Sequence, residues 1–268
     1  MGRKSGADEA PLTERMRKAT REVHSVSDML VNSRLAVALT SKRLYAEALA
    51  LFQPVMEEIE TLVEACSHSA VKPAASLLPR TRRAAAMRAD ITFHSGKEPS
   101  DTELSEAQKL YINHVRMLAR KRPELLLPYV YHLHMAVFSG GQIIRRQVRR
   151  RLKLGDDGPG TAAFELPGEN VAALKAEYKR AVDSLERTLP SCAARDNMFE
   201  EIVAESKRVF ELNNHLVRSW KVSWFATALA LLQLLPKEAL LTAALFFLTT
   251  YVMIQRQGWA PKLGVLGM

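Results

Sequence analysis

Tyr129–Leu154 reads YVYHLHMAVFSGGQIIRRQVRRRLKL, and the architecture turns on this stretch. It holds no proline and no alternation of apolar and polar residues, so it reads as one helix that Pro123 opens. Gly140 and Gly141 interrupt it. A glycine inside a helix costs about 0.5–1 kcal/mol relative to alanine. A pair therefore serves either a bend or the close approach of bare backbone to something flat. Packed helices use glycine for the same purpose, and both readings stand at this point.

Working outward, the same helical spacing recurs. Leu12, Met16, Ala19, Val23 and Val26 fall on one side of a helix over Pro11 to Val31. Thr40 or Ser41 caps a second helix that runs to about His68, with a kink expected at Pro54. Residues 69–79, holding Pro73 and Pro79, read as a loop. Helices follow over 80–93 and 103–121, with a turn at 95–100 between them. Gly155 to Gly168 is a loop, and two more helices cover 169–188 and 194–218. With no strand pattern longer than a few residues and no internal repeat, the class is all-α.

The composition agrees. The chain has 268 residues, 47% apolar and 25% charged, with a formal net charge of +9. That suits one sizeable domain and an acidic partner or anionic surface. Cys66 and Cys192 are the only two cysteines, which argues against a secreted disulfide scaffold. The polar start, Met1 to Gly6, gives no sign of a cleaved leader.

The tail differs. Residues 239–255 carry no charge, just enough apolar length to span a bilayer. Phe225 to Leu235 is a second apolar run, and Trp220, Trp224, Tyr251 and Trp259 flank the two. The expected organisation is a disordered lead (1–10), a helical domain (11–218), an interfacial linker (219–238), a transmembrane tail anchor (239–255) and a short tail (256–268). A buried pair of core helices is the alternative, though a core helix of that length keeps a polar face.

Three features carry chemistry. His24 lies late in the first helix; most lone helical histidines are surface or core residues, yet neutral imidazole is a good iron ligand. Arg17 and Arg21 precede it by two turns and one turn, placing all three on one face. Lys175 and Lys179 repeat that spacing. His132 and His134 point about 200° apart and cannot chelate one metal together. Arg145, Arg146, Arg149, Arg150, Arg151 and Lys153 form a basic run. It suits an acidic protein partner, anionic lipid or plain solvated surface. Nucleic acid gains no support, because no stacking aromatics interleave with the bases.

Three stretches resemble heme oxygenases: Leu12 to Asp28 around Arg17-Lys18-Ala19-Thr20-Arg21-Glu22-Val23-His24; Pro123-Glu124-Leu125-Leu126 through Ser139-Gly140-Gly141-Gln142; and Ser206 to Asn213. Their order and spacing match over about residues 12–218. The resemblance implies a single-domain helical bundle that holds heme b, both cofactor and substrate, between its first and distal helices. His24 would be the proximal iron ligand and Asp28 would steady it. Arg17, Lys175 and Lys179 would bind propionates, and Tyr131, Phe210 and Asn213 would line the pocket. Ala136, Val137, Gly140 and Gly141 would form the distal helix over the porphyrin. It further implies an NADPH-dependent flavoprotein reductase as electron donor and biliverdin, carbon monoxide and ferrous iron as products. The apolar tail resembles the animal members, which implies a monomer on the cytosolic face of the endoplasmic reticulum membrane.

One departure stands out. The family has Gly-Asp where this chain has Ala136-Val137, and that carboxylate orders water and delivers a proton. Valine can do neither. The apolar pair resembles arthropod members, and the expectation is a slower oxygenase with relaxed choice of meso carbon. A heme-binding sensor or sequestering protein is the alternative.

Overall fold

The structure, a computed structural model, describes residues 10–99, 103–155, 158–222, 227–228, 242, 245–246 and 248–253. Two compact units emerge, residues 1–222 and 223–268. The first opens with α1 (Leu12–Ala19) and α2 (Arg21–Ala38). One helix over 11–31 was the expectation; the observed pair breaks at Thr20. Its hydroxyl donates to the Met16 carbonyl at 2.8 Å, a back-bond that bends helices. Pro11 cannot cap α1. Instead Asp183, far along the chain, accepts from the Thr13 amide at 2.9 Å and hydroxyl at 3.1 Å.

Helix α3 (Lys42–Glu64) starts at Ser41, whose side chain accepts from the Leu44 amide. It runs unbroken through Pro54. Proline leaves the carbonyl four residues back without its donor, and here that carbonyl belongs to Ala50. The Gln108 amide supplies the bond, donating to Ala50 O at 2.8 Å and Leu51 O at 3.1 Å. Short helices α4 (Lys72–Ala75) and α5 (Leu78–Thr81) occupy the expected loop, each with proline in its first turn. Then come α6 (Ala84–Ser95) and α7 (Glu106–Lys121), the latter opened by a Ser105–Gln108 capping box.

The central stretch is less uniform than its sequence suggests. A 3-10 turn (Pro123–Leu126) leads into α8 (Leu127–Ala136), a π-helical turn covers Val137–Gly141, and α9 (Gln142–Arg151) follows. After a 3-10 turn at Ala162–Phe164, α10 (Val171–Asp183), α11 (Leu185–Thr188) and α12 (Ala193–Ser219) complete the unit. Helix α3 packs on α6, α7 and α8, and α12 packs on α1, α2, α7 and α8. Tyr45, Ile59, Val63, Tyr111, Leu126, Leu174 and Ile202 fill the core between them. All described residues of this unit fit an all-helical bundle without strands.

Buried polar groups tie the core to the bent helix. Glu60 accepts from the Arg83 amide at 2.5 Å and the Ala84 amide at 3.3 Å, which caps α6. His134, wholly buried, lies 3.7 Å from Glu60 and donates from Nδ1 to the Val130 carbonyl at 2.8 Å. Burial pushes Glu60 up and pushes His134 down to about 4. Asp90 accepts from the amides of Ala162 and Ala163 at 2.9 and 2.8 Å. His94 donates to the Gly160 carbonyl at 2.8 Å. Gly160 has φ +105, and a Cβ there would meet the Phe93 ring at 2.7 Å.

In the second unit the described residues are helical. Leu245, Phe246, Leu248, Tyr251, Val252 and Met253 expose their side chains. Thr249 and Thr250 hydroxyls donate to the Phe246 carbonyl. Among the described residues no helix is long and apolar enough to cross a membrane. The expected lead (1–10), linker (219–238) and end (256–268) lie largely or wholly outside the described residues, and of the expected anchor (239–255) only 242, 245–246 and 248–253 are described.

Two measurements check this account. Removing the Asp90 carboxylate strands two amides, so Asp90→Ala is expected to lower the unfolding free energy by about 2–3 kcal/mol in denaturant titrations. Asp90→Asn, which keeps an acceptor, should lose less. The unfolded chain binds a proton at His134 that the folded chain does not, so this histidine withdraws stability as pH falls from about 6.5 towards about 4. Glu60 and Asp90, both pushed up by burial, work in the opposite direction. On going from pH 7 to 5 the denaturant midpoint of His134→Gln should fall less, or rise more, than that of the parent chain.

Candidate functional site

His24 sits on α2 with its side chain 54% exposed, and its Nδ1 donates to Asp28 Oδ2 at 2.9 Å. That bond fixes the proton on Nδ1 and leaves the Nε2 lone pair free, the arrangement a histidine metal ligand needs. The ring of Phe210, from α12, lies 5.2 Å away. The break at Thr20 puts Arg17 on α1 and His24 on α2, so the single face expected for them is interrupted. Arg17 remains exposed, 3.9 Å from Glu14.

The distal segment resolves the double glycine into two jobs. A Cβ on Gly141 would come within 2.9 Å of the Phe164 ring and 3.4 Å of the Ala136 carbonyl, so this glycine serves packing. A Cβ on Gly140 would meet nothing within 4 Å. Bare backbone here faces open space. Gln142 stabilises the π turn, donating from its side-chain amide to Phe164 O at 2.8 Å and Val137 O at 3.2 Å. The extra residue in the turn shifts the register. Ala136 and Gly140 are exposed while Leu133 and Val137 are buried.

Val26 and Met29 on α2 and Ile143 on α9 also expose apolar side chains. Lys175, on α10, donates to Ser139 Oγ at 2.7 Å, immediately before Gly140. Lys179 is exposed one turn further on. Tyr131 is buried and is pushed up to about 12 by burial and then by Asp183. His132, which sequence reasoning placed only at a pocket edge, packs on Phe210 at 5.1 Å and on Tyr131 at 5.2 Å. Its Nε2 is shut from solvent without a hydrogen-bond partner, as is Asn213 Oδ1. Burial pushes His132 down to about 3. Phe210 thus touches both the α2 and the α8 histidine. Gln142, Phe164 and Asp90 were missed as supports of the site, because their partners lie far apart in sequence.

These groups suit a flat apolar ring that carries a metal and carboxylates: a free imidazole nitrogen, a bare backbone patch, exposed apolar side chains, and cations at Arg17, Lys175 and Lys179. Two cavities of about 460 and 450 Å³ lie elsewhere, one bounded by Glu103, Lys109 and His215, the other by Arg195 and Glu200. Neither touches His24 or Gly140. Among the described residues no cluster of three or more His, Cys, Asp or Glu residues could hold a metal ion by itself.

The two glycines can be separated experimentally. Gly140→Ala should leave thermal stability level, or raise it by about 0.5–1 kcal/mol through the lost freedom of the unfolded chain, while weakening hemin uptake followed at the Soret band. Gly141→Ala should cost about 1–3 kcal/mol, since Phe164 must yield to the new methyl group.

The heme oxygenase family model matches residues 10–219. A heme oxygenase of Guillardia theta is 27% identical over 220 residues, covering 80% of this chain and 87% of that protein. Human heme oxygenase 1 is 26% identical over 210 residues, covering 76% and 70%. The crystal structure of heme oxygenase 2 from Chlamydomonas reinhardtii without heme superimposes with a TM-score of 0.74 at 32% identity, over 80% of this chain and all of that one. The family match takes in every helix from α1 to α12, and on that ground the chain belongs to the heme oxygenase family.

Proposed function

We propose that this chain is a heme-degrading enzyme that opens heme to biliverdin, carbon monoxide and ferrous iron with dioxygen and electrons. Relatives named heme oxygenase support the reading, and one observation carries it: His24, with Nδ1 tied to Asp28 and Nε2 free on an exposed face. Heme b supplies, when bound, both the iron that activates dioxygen and the ring that is cut. The chain's own part is to hold that ring. His24 takes the iron from the α2 side, and Asp28 keeps its imidazole in the right tautomer. Gly140 admits the ring face, and the exposed apolar side chains exclude water from it. Arg17, Lys175 and Lys179 bind the propionates, Lys175 leaving Ser139 to do so. Ala136 and Gly140 flank the ring, and Tyr131, Phe210 and Asn213 stand behind it.

Electrons come in this proposal from an NADPH-dependent flavoprotein reductase. Glu165 occupies Arg145 and Arg149, whereas Arg146, Arg150, Arg151 and Lys153 stay exposed for an acidic partner. The tail serves as a membrane anchor, placing a monomeric domain on the cytosolic face of the endoplasmic reticulum. The exposed apolar side chains of residues 245–253, and threonine hydroxyls turned back to the backbone, suit an apolar medium. Val137 favours a second reading, a weakly active or inactive heme-binding sensor or sequestering protein, because no proton donor stands at that position.

Purified chain, hemin, reductase and NADPH should give biliverdin and carbon monoxide, the former read by absorbance. His24→Ala should lose or shift the Soret band of the hemin complex. Soret bleaching with neither product would select the sequestering reading.

A further inference from the structure

Two buried polar atoms on packed helices lack partners: Nε2 of His132 on α8 and Oδ1 of Asn213 on α12. An unpaired polar atom in a protein interior is uncommon and marks either a strained spot or a place where water or a ligand completes the bonding. Both residues neighbour Phe210, one in space and one along the chain. His132 packs edge-on against its ring, and Asn213 follows it by three residues, hence on the adjacent turn of α12. The same ring also meets His24. Asp28 is engaged with His24 and Lys175 with Ser139. Further along α8, Ala136 and Val137 offer no hydrogen bond of their own.

We propose that His132 and Asn213 together hold an ordered water beside Phe210, and that this water supplies the hydrogen-bonding group that the apolar pair Ala136-Val137 withholds from the site. In this arrangement His132 carries its proton on Nε2 and donates to the water oxygen. The water donates one hydrogen to Asn213 Oδ1 and keeps the second for the site. The water then has two protein partners, within the number that buried waters make. His132 is a positioning residue: it acts through the water and does not ligate iron. The inference rests on the heme-degrading reading for the use of this water, but the existence of the water does not.

The test therefore has a heme-free arm and a heme-loaded arm, both on the full chain. In the heme-free chain, ¹⁵N–¹H spectra should show His132 protonated at Nε2, with a nuclear Overhauser effect from slowly exchanging water to its ring; that effect should vanish in Asn213→Leu. A ring protonated at Nδ1, with no bound water, overturns the proposal. With hemin and reductase, His132→Leu should bind hemin within about twofold of the parent yet form biliverdin about 100-fold more slowly, the lower end of what proton handling contributes. His132→Gln, which keeps a side-chain amide donor, should recover most of that loss. Turnover of His132→Leu at the parental rate, or a glutamine variant no better than leucine, overturns the assigned role. A parent chain that gives no Soret band overturns the heme reading instead, and the heme-free spectra still decide whether the water is there.

Discussion

The side-chain amide of Gln142 donates to two carbonyls at once, Val137 O and Phe164 O. One is in the π turn and the other in a distant loop, so this bond joins the bend of the distal helix to the segment packed behind it. The loop in turn is held by α6, through Asp90 on the amides of Ala162 and Ala163 and through His94 on Gly160. Arg83 adds a bond to Ala162 O at 3.1 Å. Pressed forward in this way, Phe164 occupies the space a side chain at position 141 would need. Gly140, one residue earlier, is left facing outward. The bare patch is thus set from behind, by core polar groups, and not by anything on the site's own surface.

Charge is sorted on the same principle. Carboxylates and histidines inside the bundle are kept neutral or tied to backbone amides, as at Glu60, Asp90 and His134. Arg83 is buried with them, whereas the cations at the ends of α1, α9 and α10 stay outside. Helix α9 concentrates Arg149, Arg150 and Arg151 in its last turn, where the negative end of the helix dipole favours them. Two of its arginines are drawn to Glu165 and the rest face solvent, which leaves a directional basic surface close to the bent segment.

Much of the architecture was legible in the sequence, because helix periodicity and capping residues are local signals. Ser41, one of the two caps read for α3, marks its start, and the double glycine marks the bend. The breaks were not legible where long-range partners decide them. Pro54 leaves α3 intact because Gln108 reaches over from α7, and Thr20 splits a helix whose apolar spacing continues across the break. The site was legible only in outline. His24 and the cations could be named from a resemblance, but the register on α8 could not. A π turn adds one residue per turn, and nothing local distinguishes it from an ordinary helical turn containing glycine. Ala136 and Val137 are neighbours about 100° apart around the helix, and Val137 turns inward while Ala136 stays at the surface.

The bond between Lys175 and Ser139 bears on how quickly a carboxylate-bearing guest can be seated. A free lysine stem samples many rotamers, and restraining it usually falls to the binding step. Here the serine hydroxyl already holds the ammonium where an incoming carboxylate oxygen would take its place. The restraint is imposed during folding, so seating the guest exchanges one oxygen for another and asks little further ordering of that side chain.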